Sequence, residues 1–100
     1  MNSITISAAP GKTIPDDVRR CLSMLYAARA GEQALDRDFG IGWDALDKPP
    51  AVAQALITEE IIAKTRRYEP RAQIVRVDFD AADALTGALR PRVTLEVTDS

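Results

Sequence analysis

Apolar residues follow a helical period from Pro15 onward. They recur at spacings of three and four, and charged or hydroxyl side chains occupy the opposite side. Asp16 and Asp17 add negative charge at the end where the helix dipole is positive. We therefore predict an amphipathic first helix over about residues 15–29. Its apolar positions are Val18, Cys21, Leu22, Leu25 and Tyr26.

A second helical run, over about residues 50–67, is apolar on more than one side. The pair Pro49-Pro50 is placed to start it. Its main apolar positions fall on two lines, Ile57 with Ile61, and Val52 with Leu56 and Ala63. A helix with two apolar sides either lies between two layers of structure or offers one side to a partner.

Two alternating segments near the C-terminus predict β-strands. Val75, Val77 and Phe79 alternate with charged residues, and Val93, Leu95 and Val97 alternate with polar ones. We expect these strands to form an antiparallel hairpin whose apolar face is covered by the second helix, because two strands alone are marginally stable. The link over residues 81–88 is long for a tight turn and predicts an exposed tip.

The elements together predict the α+β class, with two main helices packed on a small antiparallel sheet. The sheet contains the C-terminal hairpin and, in addition, a possible N-terminal strand at Ile4-Thr5-Ile6. Residues 1–14 are predicted to form an N-terminal arm or edge strand, and residues 15–98 a single domain. A chain of 100 residues buries roughly 65% of its unfolded surface, so its core is thin and assembly with partners is plausible.

The segment between the two helices lacks a sustained period but is rich in large apolar residues. Leaving these in water costs about 1.5–3 kcal/mol for each side chain that could be buried, so we expect an ordered loop that closes the end of the core. Phe39 and Gly40 are assigned a structural role here, with the glycine supplying a backbone conformation that other residues resist. The apolar residues are Phe39, Ile41, Trp43 and Leu46.

The junction Tyr68-Glu69-Pro70-Arg71 ends the second helix and precedes a strand. Pro70 holds Glu69 in extended geometry and cannot continue the helix, so two opposite charges are placed on a defined corner. Arg71 can bind a carboxylate or backbone carbonyl groups through its planar fork. The corner is either a docking point, with Glu69, Pro70 and Arg71 as interface residues, or a local salt bridge that fastens the helix to the hairpin.

Composition excludes several classes of function. The chain has no histidine, which excludes His-based catalysis and imidazole metal sites, and its single cysteine, Cys21, excludes thiolate zinc clusters. The 13 basic and 15 acidic residues nearly balance, so the chain has no broad attraction to nucleic acid. No apolar run could span a membrane, and Met1-Asn2-Ser3 lacks the start of a secretory signal. We expect a cytoplasmic protein without cofactor or metal.

Carboxylates alone could support glycoside hydrolysis, which needs two placed acids. Glu59 and Glu60 are adjacent on a helix and point about 100 degrees apart, which is a poor geometry for acting across one bond. No pair stands out, and we assign no catalytic residue. The candidates considered are Asp36, Asp38, Glu59, Glu60 and Glu69.

The order of these signals resembles the baseplate wedge, or sheath-initiator, family of contractile phage tails and related injection systems, some members of which are labelled lysozyme-like. The resemblance covers about residues 15–98. The Glu-Pro-Arg step is its most specific part and matches fully, followed by the Phe-Gly step at Phe39-Gly40. Family members often read Gly-Glu-Arg after the first helix, whereas Gln33 follows Glu32 here, which removes a charge at that position.

The resemblance implies a non-enzymatic component that links the baseplate core to the first sheath ring through strand addition. It implies other baseplate proteins and the tail sheath protein as partners, with no small-molecule substrate, nucleic acid or membrane. The protein would be found in the bacterial cytoplasm during assembly and in the baseplate of a virion or tail-like particle. The extended segments Ile4–Ser7 and Val93–Thr98 are the expected augmentation edges.

Two alternatives remain open from the sequence. The first is a regulatory protein-binding module on the same fold, which would form a stable complex with one soluble partner. The second is a cell-wall glycoside hydrolase, which would have a cleft and lose activity when one carboxylate is replaced.

Overall fold

The structure of the chain is a computed structural model that describes residues 4–29, 31, 38–43, 47–80 and 89–97. Two helices and a small three-stranded sheet confirm the predicted α+β class. The predictions for the tip over residues 81–88 and for Leu46 lie outside the described residues. The elements in chain order are β1 Thr5–Ala8, α1 Asp16–Ala27, α2 Pro50–Tyr68, β2 Ala72–Asp78 and β3 Arg92–Val97.

Both helices begin directly after a proline. Pro15 precedes α1 and Pro49 precedes α2, and neither helix has a side-chain hydrogen bond at its N-cap. Pro50 occupies the first turn of α2, where its missing N–H leaves no helical hydrogen bond unmade. In α1 two acidic residues of the first turn face the positive end of the helix dipole. Local sequence therefore defines where each helix starts.

The sheet has the strand order β1-β3-β2 and is mixed. β2 and β3 pair antiparallel as the predicted hairpin, whereas β1 pairs parallel with β3, for example Ile6 beside Val93. The predicted small antiparallel sheet is therefore antiparallel at its hairpin, while its N-terminal strand pairs parallel. The prediction that Val93–Thr98 offers a free edge is wrong, because β3 is the central strand and has a neighbour on each side.

Strand β2 contains a bulge at Val75. Ile74 pairs with Leu95 and Arg76 pairs with Thr94, so Val75 is the extra residue between them. Its side chain is 53% exposed, although the alternation placed it on the same face as Val77. The bulge shifts the alternation by one residue, and this explains why the period-two pattern failed at this position.

One hydrophobic cluster joins the helices, the loop between them and the sheet. Inside it, the Tyr26 hydroxyl lies 2.6 Å from the Thr65 hydroxyl, and this buried hydrogen bond ties α1 to α2. Burial raises the pKa of Tyr26 to about 12, so the phenol is neutral. The fully buried large side chains include Val18, Leu22, Leu25, Ile41, Ile57, Ile61, Val93 and Leu95.

Candidate functional site

The corner between α2 and β2 is a tight turn closed by backbone hydrogen bonds. The Glu69 N–H donates to the Thr65 carbonyl at 2.9 Å, which completes the last turn of α2. The Ala72 N–H then donates to the Glu69 carbonyl at 3.1 Å. Pro70 takes the second position of this four-residue turn, where its fixed φ is favoured. The chain direction at the corner is therefore held by backbone geometry.

Arg71 joins the corner to the start of α1. Its Nε donates to Glu69 Oε1 at 2.8 Å and its Nη2 donates to Glu69 Oε2 at 3.2 Å, which makes a bidentate pair. Its Nη1 donates to Asp17 Oδ2 at 3.0 Å, and Asp17 belongs to the first turn of α1. One guanidinium therefore ties the corner to α1, through two residues, Asp17 and Arg71, that lie 54 positions apart in the chain.

The three charged groups differ in exposure. The side chain of Glu69 is only 6% exposed, whereas that of Arg71 is 45% exposed. The hydrogen bonds from Arg71 lower the pKa of Glu69, although burial alone would raise it, and they also lower the pKa of Asp17. Glu69 and Asp17 in turn raise the pKa of Arg71. The corner therefore carries a buried anion beneath a half-exposed cation at neutral pH.

Cys21 lies next to this buried carboxylate and is partly buried itself. Its thiol is 3.9 Å from the Tyr68 carbonyl, within the range of a weak hydrogen bond involving sulfur. Burial raises the pKa of Cys21, and the neighbouring Glu69 raises it further. The thiol therefore stays protonated and has little nucleophilic character, in keeping with its place among the apolar positions of the first helix.

The loop at residues 38–43 is fastened to α2 just before the corner. Lys64 Nζ donates to the Asp38 carbonyl, and Arg67 Nη1 lies 3.2 Å from Asp38 Oδ2. The ring of Phe39 packs edge-on against Tyr68, with centroids 5.1 Å apart and planes at 82°. Tyr68 is the last residue of α2, so this loop supports the corner from the helix side.

Gly40 lets the same loop approach the end of α1. Its φ is +109°, and a Cβ at this position would lie 2.7 Å from the Ala28 carbonyl oxygen. Directly after it, the Ile41 N–H donates to that oxygen at 2.9 Å. Only glycine combines the positive φ with this close backbone contact. The loop thereby links the end of α1 to the second half of α2.

The sequence placed Glu69, Pro70 and Arg71 together on a defined corner, and in the structure the three residues differ in exposure. Pro70 and Arg71 are exposed, while the Glu69 carboxylate is buried and fully engaged with Arg71. Sequence reasoning missed Asp17 as a partner of Arg71. It interpreted Asp17 as favourable charge at a helix start, and no local pattern indicates a contact with a residue so distant in the chain.

Three of the acids considered for hydrolysis are engaged by other groups of the protein. Glu69 is held by Arg71, and Glu60 Oε2 accepts a hydrogen bond of 3.0 Å from the Gly42 N–H. Asp38 is paired with Arg67, and Asp36 lies outside the described residues. Within the described ranges no cluster of three or more Cys, Asp or Glu side chains could hold a metal ion.

Comparison with known proteins identifies the family. The chain matches the family described as "Baseplate wedge protein gp25" over residues 12–100. It belongs to this baseplate wedge family. A search of curated proteins returned no match. The match covers the corner, both helices and the hairpin, and it confirms the family to which the order of sequence signals pointed.

Membership of the baseplate wedge family indicates a structural role in the tail baseplate and contact with other baseplate proteins. It also indicates a location in the tail. In the part of the chain that the structure describes, no helix is both long and apolar enough to cross a membrane.

Proposed function

We propose that this wedge protein docks on other baseplate proteins through the docking corner, defined as Glu69, Pro70 and Arg71, and links the baseplate core to the first sheath ring. The link to the sheath is made by addition of a sheath strand to the edge of its own sheet. The protein acts without catalysis and is assembled in the bacterial cytoplasm. Family membership supports the structural baseplate part of this proposal.

The observation that carries the docking proposal is the way Arg71 is held. Three of its five N–H donors bind Glu69 and Asp17, which fixes the plane of the guanidinium. The other two donors make no hydrogen bond to a described residue, and the side chain is 45% exposed. A cation that is already oriented loses little side-chain entropy when a partner binds. The observed Arg71–Glu69 pair is the local salt bridge that the sequence also suggested, and the two remaining donors favour a docking role in addition to it.

The same geometry defines the chemistry of the partner group. The remaining donors of Arg71 suit an oxygen acceptor, either a carboxylate or a backbone carbonyl. Pro70 presents a rigid apolar surface beside Arg71, because the proline ring fixes the backbone φ angle. Glu69 acts as the positioning group and has no free oxygen for the partner. We therefore place the contact on Arg71 and Pro70, with Glu69 beneath them.

Strand addition is supported by the two outer strands. Among the described residues, β1 and β2 each pair on one side only, with β3 between them. Their outer backbone groups are the ones that an added strand would complete. Ile4–Ser7 includes most of β1 and remains a proposed augmentation edge, while β2 replaces the C-terminal strand as the second one.

The docking proposal is tested by replacing Arg71 and a matched arginine. Arg76 is also exposed and paired with an acid, Asp78 at 2.7 Å, but lies on β2 away from the corner. A tagged chain carrying Arg71→Ala should lose at least about nine-tenths of the baseplate proteins recovered by wild type, as expected for a central interface arginine. Arg76→Ala should recover them normally, since truncating its side chain leaves the backbone edge intact.

Stability must be measured beside recovery, because Arg71→Ala leaves the Glu69 carboxylate buried without its partner and lowers the free energy of unfolding. Thermal unfolding by circular dichroism should still be cooperative. Arg71→Lys keeps the charge but lacks the planar fork. Its recovery of baseplate proteins should therefore lie between those of wild type and Arg71→Ala. Normal recovery with Arg71→Ala would contradict the docking role, as would equal loss with Arg76→Ala.

A further inference from the structure

The first half of α2 has an exposed side without charge. Residues 50–58 contain no charged side chain, and apart from Pro50 four of them are exposed. We call these four residues, Ala51, Val52, Ala55 and Leu56, the α2 apolar face. Val52 is 46% exposed and Leu56 is 42% exposed, which places both among the most exposed large apolar side chains of the described residues.

The spacing of the α2 apolar face suits another helix. Ala51 with Ala55 and Val52 with Leu56 form two parallel ridges at a spacing of four residues, which is the arrangement that interlocks between packed helices. The alanine ridge is low, so a second helix can approach closely. A groove of about 410 Å³ continues beside Leu56 and Ala63, which gives room for side chains of a neighbour.

Opposite charges stand at the two ends of this face. Lys48 precedes it, and Glu59 follows Leu56 by three residues on the same side of the helix. Lys48 and Glu59 are both exposed residues. Neither forms an ion pair with another described residue. The surface therefore runs from a cation through four apolar residues to an anion.

We infer that a second copy of this chain covers the α2 apolar face, with the two α2 helices antiparallel about a two-fold axis near Gln54. In this arrangement Val52 of each copy meets Leu56 of the other. Lys48 of each copy then meets Glu59 of the other, which gives two symmetric ion pairs around an apolar centre. A parallel arrangement places like charges opposite each other and is therefore disfavoured relative to the antiparallel one.

This self-association is independent of the docking corner. The corner lies at the C-terminal end of α2, after Tyr68, whereas the face occupies the N-terminal half. The dimer therefore leaves Arg71 outside the interface. Its contact area is small compared with that of obligate dimers, so the dimer is weak and depends on concentration. It shields an apolar surface of the free protein before that protein joins a larger assembly.

Sedimentation equilibrium of the purified chain tests the inference between about 1 µM and about 1 mM, a range that covers weak dissociation constants. The apparent mass of wild type should rise from 10.9 kDa towards twice that value. Leu56→Glu should remain at 10.9 kDa over the whole range, because it places two like charges at the apolar centre. Circular dichroism of each variant checks that the fold is retained.

A charge exchange provides the decisive control, since it does not alter the apolar residues. Lys48→Glu and Glu59→Lys should each raise the dissociation constant of the dimer roughly 2- to 30-fold. Each substitution makes both symmetric ion pairs repulsive, and exposed pairs are individually weak. The double variant should return it to within about twofold of wild type. A wild-type mass that stays monomeric throughout would overturn the inference, and so would a double variant that associates more weakly than either single one.

Discussion

Glu69 is a buried acid whose charge depends on a half-exposed arginine. Burial alone would raise the pKa of this carboxylate, because it disfavours the charged form. The two hydrogen bonds from Arg71 reverse that tendency and lower the pKa of Glu69. The pair therefore links the geometry of the corner to the ionisation of one side chain.

This link predicts a dependence of stability on pH. The pKa of Glu69 is lower in the folded protein than its ordinary value of 4.5, so its contribution to stability is fully present above that value. The contribution is lost as pH falls from about 4.5 through the lowered pKa of the folded state. The melting temperature, measured by thermal unfolding between pH 7 and pH 3, should therefore fall steeply below the ordinary pKa of 4.5.

Glu69→Gln is the matched control, since it keeps the size of the side chain and removes its titration. Its melting temperature should be lower than that of wild type at pH 7 and should fall less between pH 5 and pH 3. Asp17 also titrates with a lowered pKa, so a smaller acid dependence should remain in the variant. Parallel curves for wild type and Glu69→Gln would show that the pair does not carry this dependence.

At the residue scale the sequence predicted the corner but could not predict its burial. The order helix, Glu-Pro-Arg, strand is local, and proline restricts the backbone wherever it occurs. The burial of Glu69 depends on how α1 packs beside the corner, and the contact between Asp17 and Arg71 joins distant parts of the chain. No short-range pattern encodes such a contact. The same limit applies to the hydrogen bond between Tyr26 and Thr65.

The loop at residues 38–43 is the element whose shape depends most on one residue, Gly40. We predict that Gly40→Ala destabilises the protein by about 2–5 kcal/mol, the sum of roughly 1–2 for the positive φ and roughly 1–3 for the clash with the Ala28 carbonyl. Urea unfolding followed by circular dichroism measures this loss. The loop fastens α1 to α2, so the loss should affect the global transition.

Gly11 supplies the control for this prediction. Its φ is +76°, but a Cβ there has no neighbour within 4 Å, so only the strain of the positive φ remains. Gly11→Ala should therefore cost about 1–2 kcal/mol. Equal losses in the two variants would show that the close approach of the loop to α1 contributes nothing to stability.

Elements differed in how well the sequence predicted them. Both helices were predicted within about two residues of their observed ends, because their apolar periods and preceding prolines are local signals. The hairpin was predicted from alternation, but the bulge at Val75 was not, since one inserted residue leaves the composition of the strand unchanged. The parallel pairing of β1 with β3 joins the two ends of the chain and has no local signature.

On the scale of the whole molecule, the candidate contact surfaces lie on different parts of a thin domain. The docking corner follows α2, the α2 apolar face occupies the first half of that helix, and the outer edges belong to β1 and β2. A single core cluster joins the elements that carry them. Such an arrangement suits a structural component that contacts other baseplate proteins, which membership of the baseplate wedge family indicates.

We propose that this wedge protein joins the baseplate to the sheath. The most direct measurement is affinity purification of the tagged wild-type chain, expressed with the products of its neighbouring genes, and mass spectrometry of the proteins recovered. Recovery of baseplate proteins together with tail sheath protein is the predicted result. Recovery of a single soluble regulator, or of no partner at all, would contradict the claim.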